Sequence, residues 1–218
     1  MIRRCICFLS LLGAFALPLG GKLCAAPVNF FANLSPVNNS GVNGTASLTL
    51  DGNSLTVLIN ATGLEVGQIH PQHIHGFVNG NASSTNFTDF NSNGLIDEFE
   101  SELATGPAIL PLTNSADFMA NPLTDFPTTS DGSLSFSQTY TLTNDMLAAL
   151  NPINRRAIVL KGITENGTYN PMLPVAAGLI QSSGGGPPSG IPLPPAAWAA
   201  VVTIFGFVAP RMRRRRPV

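Results

Sequence analysis

Short segments that alternate apolar and polar residues recur through residues 27–181, and turns rich in Gly, Asn and Pro separate them. Residues 46–50 and 55–61 alternate on either side of a turn sequence at 51–53, which is typical of a β-hairpin. Residues 134–142 predict another strand, with one face formed by Leu134, Phe136, Gln138, Tyr140 and Leu142. Because no long helix alternates with these segments, we expect a mainly β fold, an antiparallel sandwich or barrel, and not a parallel α/β sheet.

The remaining elements of this domain are shorter. Residues 72–77 and 175–180 read as strands, and the continuous apolar run at 157–160 predicts a central strand. One short helix is expected at 144–150, with Thr143 as its N-cap. We therefore expect one β domain with one short helix.

The N-terminal residues 1–26 are typical of a secretory signal peptide. Arg3 and Arg4 precede an almost wholly apolar stretch at 5–19, and small residues end the segment. The alternative is a membrane anchor, although the apolar stretch is shorter than the ~20 residues that a span needs. All three cysteines lie in this segment, so the exported domain would contain neither a disulfide nor a thiol.

The C-terminal residues contain a flexible linker at 182–190 and a further segment at 191–218. That segment reads IPLPPAAW, then an apolar run, then the basic cluster RMRRRR. This order resembles the PEP-CTERM/VPLPA class of bacterial sorting signals. The resemblance implies an exosortase-type transpeptidase as a partner, the inner membrane as a transient or lasting anchor, and a bacterial cell envelope, surface or matrix as the destination. A plain tail anchor is the alternative.

The charge of the chain is unevenly distributed. Its formal net charge is −1, but the domain at 27–181 carries all 12 acidic residues and only three basic ones, a formal charge of −9. An acidic surface of this kind repels the phosphate backbone of nucleic acids and attracts cations. Nucleic acid is therefore excluded as a partner.

Five segments of the domain together resemble the CHRD domain, which is named for chordin and is widespread in exported bacterial proteins. They are LTLDGNSLTVLINATGL (48–64), IHPQHIHGF (69–77), GPAILPL (106–112), RRAIVLKG (155–162) and LPVAAGLI (173–180). The resemblance implies an immunoglobulin-like or superoxide-dismutase-like β fold. It implies no established activity.

The sequence DFNSNGLIDEFE at residues 89–100 matches the calcium-binding loop of EF-hands at each constrained position. Gly94 permits the sharp reversal, and Ile96 is the usual apolar anchor. Calcium needs six to eight hard oxygen ligands, and the spacing supplies them. The predicted ligands are Asp89, Asn91, Asn93, the carbonyl of Leu95, Asp97 and Glu100. The alternative is an acidic, solvated loop.

The loop departs from an EF-hand in its flanks. Residues 81–88 form no amphipathic helix, and only residues 97–103 could form the exiting helix. A lone loop of this kind is similar to a dockerin-type loop inserted between two strands. We expect a structural calcium ion that orders residues 79–103, with weak affinity because two ligands are neutral Asn side chains.

The three histidines lie within six residues, at His70, His73 and His75. On a strand, His73 and His75 point to the same face, which is how several β-sandwich proteins present two imidazoles to copper, zinc or iron. His70 or a nearby acid would then be the third ligand. Lys161 stands where the CHRD resemblance would place another histidine, and a protonated lysine cannot ligate. The alternative is that the pair packs over the core and bonds to loop backbone.

No other catalytic motif is present, since the chain has no G-x-S-x-G sequence and no P-loop. We therefore expect a non-enzymatic structural or adhesive protein of the envelope or extracellular matrix. The alternative is a dismutase-like, metal-dependent oxidoreductase that uses His73 and His75. A third reading is a binding module for an envelope protein or an extracellular polysaccharide.

Overall fold

The structure is a computed structural model and describes residues 26–116 and 124–184. The predicted signal peptide (1–26) lies outside these residues except for Ala26, and so does the predicted linker (182–190) beyond Gly184. The predicted sorting segment (191–218) also lies outside them. Within the described ranges, no helix is both long and apolar enough to span a bilayer.

Nine strands and two α-helices form in the described part of the chain. The strands are β1 (Val28–Pro36), β2 (Asn43–Asp51), β3 (Ser54–Thr62), β4 (Gln72–His75), β5 (Ala108–Pro111), β6 (Ser133–Thr141), β7 (Ala157–Glu165), β8 (Thr168–Leu179) and β9 (Gln181–Ser182). The helices are α1 (Glu98–Thr105) and α2 (Asn144–Leu150), and a 3₁₀ turn covers Ile153–Arg155.

All strand pairs are antiparallel, in the order β5-β4-β7-β8-β1-β2-β3-β6, and β9 pairs with β1. Strand β1 joins the two halves of the sheet, because residues 28–34 pair with β2 whereas Ser35 and Pro36 pair with β8. Side chains from both halves contribute to one apolar core. The predicted mainly β, antiparallel sandwich or barrel is confirmed.

The alternation of β3 and β6 explains how they build this core. Leu55, Val57 and Ile59 of β3 are completely buried, and the register places Leu55 opposite Tyr140 and Ile59 opposite Phe136. Burial of each large apolar side chain contributes about 1.5–3 kcal/mol. The predicted apolar face of β6 is thus a core face, although its middle residue, Gln138, is only partly buried.

Strand β7 is buried on both faces, as its continuous apolar sequence predicts for a central strand. Ile158 and Leu160 belong to the main core. Val159 points to the opposite face, where Phe87 and Ile96 cover it. Both residues belong to residues 79–103, which lie in the connection between β4 and β5 and contain the predicted calcium loop. We call residues 79–103 the insertion, and the face that they cover the outer face.

Candidate metal-binding sites

The insertion packs against the outer face through a small apolar cluster. Phe87 and Ile96 contact Val37, Val159 and Ala177, three buried residues of the β domain. Phe87 lies before the predicted calcium loop and Ile96 lies within it. The loop is therefore part of the packed structure and its middle is fixed to the sheet.

The first ligand positions of the predicted calcium loop converge. The main-chain N–H of Asn93 donates to Asp89 Oδ1 at 3.1 Å and to Asn91 Oδ1 at 3.0 Å, so both oxygens lie around one N–H group. Asp89 Oδ2 accepts from the N–H of Gly94 at 2.8 Å. Gly94 has a φ of +87°, a left-handed conformation that glycine adopts without strain. Asn93 Oδ1 accepts from the N–H of Leu95 at 2.8 Å, which completes a tight turn about Asp89.

The last ligand positions lie against the same turn. Glu100 is 2% exposed, and its Oε1 accepts from the N–H groups of Phe90 (2.7 Å) and Asn91 (3.1 Å). Its Oε2 accepts from the N–H of Asp97 at 3.1 Å. The side-chain amide of Asn91 donates to Asp97 Oδ2 at 3.3 Å. The Glu100 carboxylate therefore joins the main chain of loop positions 2, 3 and 9, and the side chains at positions 3 and 9 contact each other.

Helix α1 begins where the loop ends because Asp97 is its N-cap. Asp97 Oδ1 accepts from the N–H of Glu100 at 2.8 Å, while the Glu100 carboxylate accepts from the N–H of Asp97, which is a complete capping box. The helix runs over Glu98–Thr105, two residues beyond the predicted end. Residues 81–88 contain no helix, so the entering helix of an EF-hand is absent, as predicted.

Across residues 26–116 and 124–184, no three His, Cys, Asp or Glu side chains are grouped closely enough to hold a metal ion by themselves. The predicted calcium ligands also include the amide oxygens of Asn91 and Asn93 and the carbonyl of Leu95. Hard oxygen donors of these kinds suit Ca²⁺ and not a soft transition metal. The chemistry of this donor set fits a calcium ion.

His73 and His75 lie side by side on β4, as the alternation predicts. Their ring centroids are 5.7 Å apart with an edge-to-face arrangement, and Phe126 packs edge-on against His73 with a centroid distance of 5.0 Å. His75 Nδ1 bonds to the carbonyl oxygen of Gly106 at 2.9 Å. Because a carbonyl oxygen only accepts, Nδ1 carries the proton and Nε2 has a lone pair. His75 Nε2 and His73 Nδ1 are buried and have no hydrogen-bond partner.

Both imidazoles are neutral at neutral pH. Burial is the main cause that lowers the pKa of His73 to about 3, and the charges of His75 and Lys161 contribute in the same direction. Burial also lowers the pKa of His75 to about 4, with the hydrogen bond to Gly106 opposing and the charge of Lys161 adding to the shift. Neutral imidazoles are the form that binds metal ions.

His70 does not join this pair. It is 1% exposed, and its ring nitrogens face two carbonyl oxygens, Nε2 that of Glu65 at 2.9 Å and Nδ1 that of Lys161 at 3.2 Å. Its ring packs edge-on against Tyr169. The structure therefore brings together two of the three predicted imidazole ligands, and His70 belongs to the packing of the domain.

Lys161 lies beside the histidine pair and joins the sheet to the insertion. Its main-chain N–H donates to the carbonyl of Pro71, two residues before His73, at 2.8 Å. Its side chain is 1% exposed, and Nζ forms an ion pair of 2.8 Å with Glu98 Oε1, which is 40% exposed. The positive charge of this buried ammonium disfavours the binding of a metal cation at the histidine pair.

Sequence reasoning missed two contacts that define the insertion. One is the ion pair of Lys161 with Glu98, residues 63 positions apart. The other joins Asn38 to Ile96, residues 58 positions apart. An Asn in a turn and a Glu at the start of a helix are both common, so neither has a local sequence signal. Only the topology brings these pairs together.

No family model matches the chain, and no curated protein matches it in sequence. Solved structures of Candida albicans superoxide dismutase 5 are similar to it. A mutant form is 14% identical, and the match covers 74% of this chain and 96% of the mutant chain, with a TM-score of 0.43. The copper(II) form is 14% identical, and the match covers 74% of this chain and 95% of the dismutase chain, with a TM-score of 0.41. At this identity the likeness concerns the fold alone.

Proposed function

We propose that this chain is an exported envelope or matrix protein whose β domain binds one structural calcium ion in the loop at residues 89–100, and that its role is structural or adhesive, not enzymatic. The observation that carries the proposal is the convergence of Asp89 and Asn91 on one N–H, with Asp97 and Glu100 against the same turn. Three of the 12 acidic residues of the chain, together with Asn91, thus lie at one tight turn.

Charge supports a cation at this loop. Five acidic residues crowd into residues 89–102, which contain no Lys or Arg. Among the described residues, the ion pair with Lys161 joins only one of the five, Glu98, to a basic side chain. A bound calcium ion would offset the mutual repulsion of the others. With one site and neutral Asn ligands, we expect a dissociation constant of ~10⁻⁴–10⁻³ M.

The structural role follows from the place of the loop in the fold. Its middle packs on the outer face through Ile96, and its end caps helix α1, which leads into β5. A calcium ion would therefore stabilise the whole connection between β4 and β5. A site of this affinity is filled at extracellular calcium levels. The ion would therefore bind after export and not before it.

The destination rests on the sequence. The signal peptide at 1–26, the Pro-rich and Arg-rich segment at 191–218 and the resemblance to CHRD proteins all favour an exported bacterial protein. A sorting transpeptidase of the exosortase type and the inner membrane would be its partners during export. An extracellular polysaccharide or another envelope protein would be its partner at the destination.

Calorimetric titration of the full chain with millimolar calcium tests the calcium site. We expect saturable binding by the wild type, its loss in Asp89→Ala, and its retention in Asp145→Ala, which removes an exposed acid from α2. Absence of calcium heat in the wild type, or equal heat in Asp89→Ala, would contradict the proposal.

A second candidate function is a transition-metal site at His73 and His75. Two observations favour it: both imidazoles are neutral, and two of their buried nitrogens lack partners. In His75, the Nδ1 bond to the Gly106 carbonyl leaves Nε2 oriented as a ligand. Lys161 opposes a second cation there, and His70 is engaged elsewhere.

Elemental analysis of the purified chain separates the two candidates. Near-stoichiometric copper, zinc or iron that is lost in His75→Phe, but retained in Asp89→Ala, would favour the oxidoreductase. Calcium alone, measured after equilibrium dialysis of the chain against millimolar calcium, would favour the structural protein.

A further inference from the structure

The middle of the calcium loop is held by a single side chain from another part of the domain. Asn38 lies in the connection between β1 and β2, and its Oδ1 accepts from the N–H of Ile96 at 2.6 Å. Its Nδ2 donates to the carbonyl of Ile96 at 2.8 Å and to the carbonyl of Pro174 in β8 at 2.9 Å. One carboxamide therefore fixes both main-chain groups of Ile96 to the sheet.

This clamp determines the orientation of the peptide groups on both sides of Ile96. In a planar trans peptide, the N–H and the preceding C=O point in opposite directions. Because the N–H of Ile96 points at Asn38, the carbonyl of Leu95 must point away from Asn38. Leu95 supplies the predicted carbonyl ligand at loop position 7.

The peptide on the other side obeys the same geometry. The carbonyl of Ile96 points at Asn38, so the N–H of Asp97 points away from it and donates to the Glu100 carboxylate. The direction away from Asn38 is thus the direction of the ligand side chains. The clamp aims the Leu95 carbonyl toward the same side as Glu100.

We propose that Asn38 is a positioning residue for the calcium site, which presents the Leu95 carbonyl to the ion. This inference rests on the calcium site proposed above. The role requires a group that donates and accepts at once, which a carboxamide does and neither a carboxylate nor an aliphatic side chain can do. It also requires a residue that tolerates left-handed backbone, since Asn38 has a φ of +58°.

The neighbouring residue provides a matched control. Asn39 is exposed and also left-handed, with a φ of +53°. Glycine adopts this conformation without strain. Asn38→Gly and Asn39→Gly therefore make the same chemical change at adjacent positions, and only the first removes the clamp.

Calcium titration of the full-length wild type and both variants is the first measurement. Loss of the clamp should weaken calcium binding about tenfold in Asn38→Gly, the equivalent of about 1.4 kcal/mol and of one or two hydrogen bonds. Asn39→Gly should bind calcium like the wild type. The second measurement is the luminescence lifetime of Eu³⁺ bound in place of calcium, in H₂O and in D₂O, which counts the water molecules on the ion.

The water count separates positioning from a general loss of stability. If the Leu95 carbonyl turns away, one additional water should coordinate Eu³⁺ in Asn38→Gly, whereas a merely less stable domain would keep the wild-type count. Wild-type affinity and water count in Asn38→Gly would overturn the positioning role while leaving the calcium site in place. Absence of binding by the wild type itself would overturn both.

Discussion

The ion pair between Lys161 and Glu98 predicts that its two partners contribute unequally to stability. Lys161 is a core residue of β7 with a 1% exposed side chain, whereas the Glu98 side chain at the start of α1 is 40% exposed. Glu98→Gln leaves a buried ammonium without its counter-charge. Lys161→Met removes that charge and keeps most of the side-chain volume, and water can then hydrate the exposed carboxylate.

The expected magnitudes follow from this asymmetry. Removing one partner of a fully buried pair costs about 3–5 kcal/mol, and the exposure of Glu98 lets water reach part of the ammonium. We therefore expect Glu98→Gln to lower the free energy of unfolding by about 2 kcal/mol. Replacing a buried ion by an apolar side chain is close to neutral, so Lys161→Met should cost about 1 kcal/mol or less.

Urea unfolding followed by circular dichroism, in excess calcium, measures these differences. Glu102→Gln is the control, since it removes the same charge from the same helix and leaves the ion pair in place. The double variant should be no less stable than Lys161→Met, because Glu98 has no buried charge to compensate once Lys161 is gone. A cost of Glu98→Gln no greater than that of Glu102→Gln, or a cost of Lys161→Met greater than that of Glu98→Gln, would refute this asymmetry.

Three further outcomes are expected. Calcium at roughly 100 times its dissociation constant should raise the free energy of unfolding by about 2.7 kcal/mol, as measured by urea titration with calcium and with a chelator. In chelator-treated protein, stability should decline as the pH falls from 6.5 toward 5, because His73 and His75 titrate near 6.5 when unfolded but only at about 3 and about 4 when folded. The unfolded chain then binds more protons, so each histidine should lower the free energy of unfolding by about 2 kcal/mol at pH 5. His73→Phe should halve the combined loss. Gly106→Ala should cost more than about 2 kcal/mol, since the added methyl group would overlap the main chain of Gly76, whereas Gly67→Ala, at an equally left-handed but open position, should cost only the backbone strain of about 1–2 kcal/mol.

The sequence predicts those strands whose alternation is regular. Strands β2, β3 and β6 form where alternation and turn residues indicate them, and α2 spans the predicted residues with Thr143 as its N-cap. The sequence does not predict strand β1, although Phe30, Ala32 and Leu34 are buried on one face. Phe31 beside Phe30 breaks its pattern. The sequence does not predict strand β5 either, because it has only four residues and ends in a proline, which edge strands tolerate.

In the candidate sites, too, the sequence predicts contacts between near neighbours and misses those between distant residues. The turn of the predicted calcium loop and the helix after it depend on neighbouring residues, so spacing alone predicts them. The shared face of His73 and His75 likewise follows from the period of a strand. The clamp by Asn38 and the ion pair of Lys161 join residues far apart in sequence. Such contacts depend on how β1, β7 and the insertion meet, which no local pattern records.

Helix α1 connects the two candidate sites physically. Its first residue pairs with Lys161, and its N-terminal turn contains Glu100 of the predicted calcium loop. The carbonyl of Gly106, just beyond its end, accepts a hydrogen bond from His75 Nδ1. A cation bound at the N-terminal turn of α1 would therefore lie at the opposite end of the same helix from the group that orients His75. By thermodynamic linkage, a metal ion held at the histidine pair would change the calcium affinity by the same factor as calcium changes the affinity of the pair. If both ions bind, helix α1 is the route by which binding in the loop would affect the histidine pair, without a direct contact between the two sites.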